Sequence, residues 1–275
     1  MKLIMTLLVR DEEDIIQENI DFHLSQGVDF IIATDNKSVD STTEILRHYE
    51  KKGVLHYISE TDDNYDQKRW VTKMARMACT QFDADWVINN DADEFWWSDG
   101  NLKASLQEVP ENYNVLQVNR FNFRPCDLKG NKFYEKMTYR ELASKNPLGS
   151  PLPPKVAHRA HASIVINQGN HDVSNITTSI LQSQSIEIFH FPLRGYSQFE
   201  NKIIKGGAAY ERNTTIKGEE GRTWKTLYKQ HKQEKNLSHY YNSQTLNKLD
   251  ISKELENKSI IEDKRLVHYL KNLYK

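Results

Sequence analysis

The sequence predicts an α/β fold, Rossmann-like in having a mainly parallel sheet with flanking helices, followed by a helical C-terminal extension. Three observations predict it. Apolar strand-like runs alternate with helix-period segments over the first hundred residues, each strand-like run ends in acidic residues, and the pattern turns helical and lysine-rich from about residue 196. The 275 residues, 38% hydrophobic and 10% aromatic, suffice for one medium α/β domain with an appendage.

Residues 3–9 are continuously apolar, as expected of a strand covered on both faces. Ile15, Ile16, Asn19, Ile20, His23 and Leu24 then recur at helical spacing, and Gly27 supplies a C-cap. Residues 28–34 read as a second strand. Ser41-Thr42-Thr43-Glu44 has the form of a capping box, ahead of Ile45, Leu46 and Tyr49 on one face of a helix ending near Gly53. Residues 54–59 read as a third strand. On 67–82, Trp70, Val71, Met74, Ala75 and Ala78 share a helical face, and 85–90 is a fourth strand. Farther on, 115–123, 163–167 and 186–191 read as strands, while 146–154, rich in Pro and Gly, is a loop. The sheet-bearing body is expected over 1–205 and the basic, mostly helical extension over 206–275.

The formal net charge is −1, which gives nucleic acid no general electrostatic footing. The charge is uneven: 21 Lys/Arg face 28 Asp/Glu in residues 1–196, and 16 face 10 in residues 197–275. The basic tail is where a peripheral membrane contact is expected, against the plainer reading of a solvated helical surface. Two cysteines, Cys79 and Cys126, make neither a metal pair nor a disulfide framework, so a reducing compartment is expected. The run 3–9 is too short to span a membrane, and acidic residues follow it at once, unlike a signal peptide. The expected location is the cytoplasm.

In open sheets of this kind ligands bind beyond the carboxyl ends of the strands. Those ends read Arg10-Asp11-Glu12, Asp35-Asn36, Glu60-Thr61-Asp62-Asp63 and Asp91-Ala92-Asp93-Glu94. Crowded carboxylates repel, so a cation or several donor groups should lie among them. Asp91 and Asp93 stand two apart, and in an extended segment such residues point the same way. Two carboxylates on one side can bind a hard divalent cation, Mn2+ or Mg2+, which would bridge the phosphates of a nucleotide-sugar and stabilise the leaving diphosphate.

Three segments then carry a resemblance: Leu8-Val9-Arg10-Asp11-Glu12, the run from Thr34 to Thr42, and the run from Trp86 to Phe95 that contains Asp91-Ala92-Asp93-Glu94. In these the chain resembles a family 2-type glycosyltransferase of the GT-A fold, in the subgroup with a DADEF-like metal motif, firmly over 1–97 and more loosely to about 205. The resemblance implies that 1–205 binds a nucleoside-diphosphate sugar and passes the sugar to a hydroxyl acceptor, a glycan or glycolipid such as a bacterial surface polysaccharide, with inversion. It implies that Asp35 contacts the base or ribose, that Asp11 lines the same pocket with Asn36, and that Gln67 and Arg69 touch the nucleotide. Asp91 lies near ribose and metal, and Asp93 ligates the metal. A glycan on the Asn36-Lys37-Ser38 triplet would block this site, which again favours the cytoplasm. Asp40 reads as a helix cap.

The second half should supply the base and the diphosphate contacts. Asp172, in the turn Gly169-Asn170-His171-Asp172, is the candidate base, with a plain loop cap as the competing reading. Glu94 is the second candidate, though beside Asp93 it also suits a supporting role. His190, ending the apolar segment Ile188-Phe189-His190-Phe191, is either a third metal ligand or structural. Arg194, Lys202 and Lys205 either offset the diphosphate charge or form the basic face of a helix. Trp96 and Trp97 either floor an acceptor site or pack in the core. Two rival functions share the fold. A sugar nucleotidyltransferase would carry a Gly-rich loop where Arg10–Asp14 has no glycine. A non-catalytic nucleotide- or carbohydrate-binding module would release no nucleoside diphosphate.

Overall fold

The computed structural model describes residues 1–126, 130, 132–214 and 221–275. The first half alternates as expected: β1 (Leu3–Val9), α1 (Ile16–Ser25), β2 (Phe30–Asn36), α2 (Thr42–Lys51), β3 (Leu55–Glu60), α3 (Gln67–Thr80) and β4 (Trp86–Asp91). Then come β5 (Glu94–Ser98), α4 (Leu102–Gln107), β6 (Val115–Val118), β7 (Arg120–Arg124), α5 (Phe133–Lys136) and β8 (Tyr139–Glu141). They are followed by β9 (Lys155–Arg159), β10 (Val165–Ile166), β11 (Val173–Ser174), β12 (Ile180–Gln182) and β13 (Ile186–His190). The rest is α6 (Tyr196–Arg212), α7 (Arg222–Glu234), α8 (Ser238–Gln244), α9 (Lys248–Glu256), β14 (Ile260–Glu262) and α10 (Arg265–Leu273).

Two compact units result: Met1–Arg120 with Pro153–Ile188, and Phe121–Leu152 with Phe189–Lys275. Residues 121–152 leave the first unit and the chain returns to it at 153, a pairing of distant segments that periodicity does not reveal.

The first unit holds a seven-stranded sheet in the order β12-β6-β9-β4-β1-β2-β3. β3, β2, β1 and β4 are parallel, whereas β9 runs antiparallel to both β4 and β6. Val9 pairs with Asp35, Leu8 with Asp91, and Asn36 with Glu60. The register therefore brings the acid-bearing ends of all four parallel strands to one edge of the sheet. β1 and the first halves of β2 and β4 are mainly apolar because both faces of the sheet are covered there. Ile4, Ile32 and Val87 pack with Val71, Met74, Ala75 and Ala78 of α3, the face its spacing predicts. Gly27 follows the α1 cap at φ +91°, a conformation that favours glycine.

Three local expectations change. The strand expected over 115–123 breaks at Asn119, since β6 lies between β9 and β12 while β7 pairs with β8. The Ser41 capping box does not form. Ser41 makes no side-chain cap bond, and Thr42 N–H donates instead to Asp40 Oδ1 at 2.9 Å, so Asp40 takes the capping part expected of it. Residues 94–98, which hold the end of the motif and the two tryptophans, form β5.

The second unit pairs β7, β8 and β14 antiparallel, so its tail is helical with one strand added. Phe123 stacks on Phe191 at 4.6 Å between ring centroids, and Phe133 meets Phe191 edge-on. Leu193, Phe199, Ile203, Leu227 and Leu237 form a second cluster. α6 and α7 approach closely at Gly206 and Gly207. A Cβ there would fall 2.4 Å from Trp224 Cζ3 and 2.3 Å from Tyr228 Cβ. Among the described residues no helix is long and apolar enough to cross a membrane.

Candidate active site

The turn after β4 is held by buried amides. Asn19 on α1 donates from Nδ2 to the carbonyls of Ala92 (2.9 Å) and Glu94 (2.8 Å), and its Oδ1 accepts from Asn90 Nδ2 at 3.1 Å. Asn90 Oδ1 in turn accepts from Trp96 Nε1 at 3.0 Å. His23 sits one helical turn beyond Asn19. Its Nδ1 donates to Asn19 O (2.8 Å), and its Nε2 accepts from Trp96 N–H (3.2 Å). That pattern requires the neutral ring, and burial pushes its pKa down to about 4. Trp96, fully buried, belongs to the core rather than to a sugar floor. Trp97 is half-buried and donates to Asp99 Oδ1 at 3.0 Å.

The carboxylates of this turn are met by cations from distant segments. Asp91 Oδ2 receives Lys155 Nζ at 2.5 Å, and its Oδ1 receives Asn170 Nδ2 at 3.2 Å. Glu94 Oε1 receives Arg120 at 2.8 Å and Lys155 at 3.3 Å, while Glu94 Oε2, also buried, has no hydrogen-bond partner among the described residues. Asp93 is buried and Asp91 about one-third exposed. Sequence reasoning missed Lys155, Arg120, Asn170 and Asn19 as parts of this site. Asn19 left a signal, as a polar residue on the apolar face of its helix, and Asn170 lay in the turn singled out for Asp172.

The other strand ends are closed by their own loops. Asp35 Oδ1 accepts from Ser38 N–H at 3.0 Å, and its Oδ2 from Thr43 Oγ1 at 2.5 Å and Tyr57 OH at 3.2 Å. Asp11, at φ +54°, accepts from Val39 N–H at 2.8 Å. Asn36 Nδ2 donates to Asp62 O at 2.6 Å, but its Oδ1 is buried without a partner among the described residues. Arg10 pairs with Asp63 at 2.6 Å, and Arg69 with Asp62 at 2.7 Å and Asp66 at 3.0 Å. Gln67 Oε1 accepts from Gly169 N–H at 2.9 Å, tying the start of α3 to the 167–172 turn.

That turn carries Asn170 and Asp172. Gly169 is at φ +79°, and a Cβ there would meet the His171 ring at 2.6 Å, so both conformation and space call for glycine. Asn170, buried, reaches Asp91. His171 Nδ1 donates to Pro154 O at 2.8 Å. Burial, then the charges of Lys155 and Arg120, push its pKa down to about 3, so the ring is neutral and Nε2 is an acceptor. Asp172 is exposed and accepts from Asn167 Nδ2, the loop-capping contact weighed against its role as base.

The remaining candidates belong to the second unit. His190 Nδ1 meets Asn122 Oδ1 at 2.8 Å. Arg194 donates to Phe191 O at 3.0 Å, and Lys202 Nζ lies 5.9 Å from the centre of the Trp224 ring. Among the described residues no three His, Cys, Asp or Glu side chains form a group that could hold a metal ion. Asp91 and Asp93 still suit a hard cation, since Mg2+ and Mn2+ sites are completed from one or two carboxylates by phosphate oxygens and water. The orphaned, buried Glu94 Oε2 beside them leaves the polar demand of that cluster unfilled among the described residues.

The parallel strands of this α/β sheet thus end together in carboxylates, one pair of them two residues apart. The model of glycosyltransferase family 92 matches residues 5–168, and the chain belongs to that family. The matching family is thus 92, where the motifs resemble family 2. No curated protein matches. Among solved structures, S. aureus TarS 1-349 in complex with UDP-GlcNAc is 16% identical, with a TM-score of 0.47 over 84% of this chain and 72% of that one. Glucosyl-3-phosphoglycerate synthase from Mycobacterium tuberculosis, in complex with Mn2+, UDP and phosphoglyceric acid, is 18% identical, with a TM-score of 0.35 over 58% and 56%.

Proposed function

We propose that this glycosyltransferase moves a sugar from a nucleoside-diphosphate sugar to a hydroxyl of a glycan or glycolipid, by a single inverting displacement that uses Mn2+ or Mg2+ held at Asp91 and Asp93. The observation that carries the reading is the end of β4 in a family 92 chain: a partly exposed Asp91, oriented by Lys155 and Asn170, two residues from Asp93. When bound, the cation stabilises the charge that develops on the departing diphosphate. Asp11, Asp35 and Asn36 are assigned to the nucleoside. The Oδ1 of Asn36, an acceptor without a partner among the described residues, supports this. Asp172, exposed two residues beyond the asparagine that holds Asp91, is assigned to take the proton of the acceptor hydroxyl. Glu94 is assigned its supporting role, because its Oε1 is shared by two cations.

The test is a thermal-shift screen of nucleoside diphosphates and their sugars, uridine diphosphate first, with and without Mn2+, on wild type and Asp93→Ala. A ligand of the folded state raises its melting point. The expected result is a Mn2+-dependent rise with one diphosphate that the variant loses. An equal rise in both proteins removes Asp93 from the metal site. A donor panel from which no nucleoside diphosphate is released makes the chain a binding module instead.

A further inference from the structure

Lys155 opens β9 with its side chain 1% exposed, yet its ammonium meets Asp91 Oδ2 at 2.5 Å and Glu94 Oε1 at 3.3 Å. A buried lysine is costly unless paired, and a packed interior leaves it no easy alternative rotamer. Lys155 is therefore a fixed positive charge placed on one oxygen of the carboxylate assigned to the metal. Arg120, 8% exposed, adds a second on Glu94.

We propose that Lys155 is a positioning residue that acts as a built-in counter-charge, making metal binding at Asp91 and Asp93 wait for the phosphates of the nucleotide. This rests on the reading of Asp91 and Asp93 as the cation's ligands. A free divalent ion approaching Asp91 meets an ammonium already seated there, and like charges at this range repel strongly in a partly dry site. A nucleoside diphosphate brings at least two negative charges, which offset the ammonium and supply ligands of their own. Ion and nucleotide then enter as a pair. The same ammonium keeps Asp91 aimed while the site is empty of both.

The experiment is Mn2+ binding followed by electron paramagnetic resonance, with and without uridine diphosphate, on wild type, Lys155→Met, Lys155→Gln and Lys155→Arg. Wild type and Lys155→Arg should bind Mn2+ weakly alone and much more tightly with the nucleotide. The neutral variants should bind Mn2+ alone at least about tenfold more tightly than wild type, with the nucleotide's effect reduced to match. A lysine that merely supports the fold gives the opposite result, since damage to a site loosens its metal. Unchanged or weaker Mn2+ binding in the neutral variants overturns the proposal alone. So does failure of both neutral variants to fold while Lys155→Arg folds, which assigns the lysine to stability. No Mn2+ binding by any of the proteins, even with nucleotide, overturns the assignment of Asp91 and Asp93 itself and this role with it.

Discussion

Two strand ends in the first unit carry a buried or half-buried aspartate at the same edge of one sheet, and they are stabilised by different means. Asp35, ending β2, is surrounded by neutral donors: Ser38 N–H, the Thr43 hydroxyl and the Tyr57 hydroxyl. Asp91, ending β4, faces the ammonium of Lys155, and Glu94 beyond it faces Lys155 and Arg120. Neutral donors satisfy a carboxylate and leave its charge in place. Cations cancel the charge and can be displaced only by something that restores it. The first arrangement builds a rigid loop, and the second builds a site whose charge balance responds to what binds there.

The comparison is sharpened most by removing a cation. Arg120→Met leaves Glu94, fully buried, with only half its compensation. Breaking a buried pair by deleting one partner costs about 3–5 kcal/mol, because the remaining charge stays desolvated. Urea unfolding of the variant should show that loss, and Arg120→Met with Glu94→Gln should recover part of it. A loss below about 1 kcal/mol would mean that solvent, rather than Arg120, compensates Glu94.

The neutral scaffold behind the β4 turn gives an intermediate effect that depends on pH. His23 titrates near 6.5 when unfolded and is pushed down to about 4 by burial in the fold. Between those values the unfolded chain binds a proton that the folded chain refuses. The stability His23 contributes is complete above about pH 6.5 and is lost as pH falls toward 4, at roughly 1.4 kcal/mol per pH unit at most for one group. His158 and His171, depressed to about 4 and about 3, act in the same direction. Denaturant midpoints measured from pH 7 to 4.5 should therefore fall for wild type and fall less steeply for His23→Gln. Equal slopes would mean that His23 is protonated without cost and that the Trp96 N–H bond is not what holds it.

How much was legible in the sequence follows from the distance between partners. The alternation of β1 to β4 with α1 to α3 is written in local periodicity, and so is the acidic edge, because parallel register brings equivalent strand ends together. Asp35 finds Ser38 and Thr43 within eight residues, so two of its three donors lie in the turn and helix start that directly follow it. Asp91 finds Lys155 at a separation of 64, and Glu94 finds Arg120 at 26. Neither pairing follows from spacing, because β9 returns antiparallel beside β4 after residues 121–152 have entered the other unit. The same excursion hid the boundary between the units. His190 drew attention as a titratable residue ending an apolar strand, whereas Asn122, which meets its Nδ1, stands 68 residues away and left no signal of that pairing.

The smallest effect tests the neutral end. Thr43→Val removes one of the two hydroxyls on Asp35 Oδ2 while keeping the shape of the side chain, and Tyr57 OH at 3.2 Å remains. A hydrogen bond to a charged acceptor is worth about 1.5–3 kcal/mol, and the surviving donor softens its loss, so about 1–2 kcal/mol is expected in the same urea assay. Mn2+ binding should not change, because no cation is released and the charge at the edge stays as it was. A loss as large as that of Arg120→Met would place the two strand ends in one class. A change in Mn2+ affinity would mean that the β2 loop, and not only the end of β4, sets the charge the metal meets.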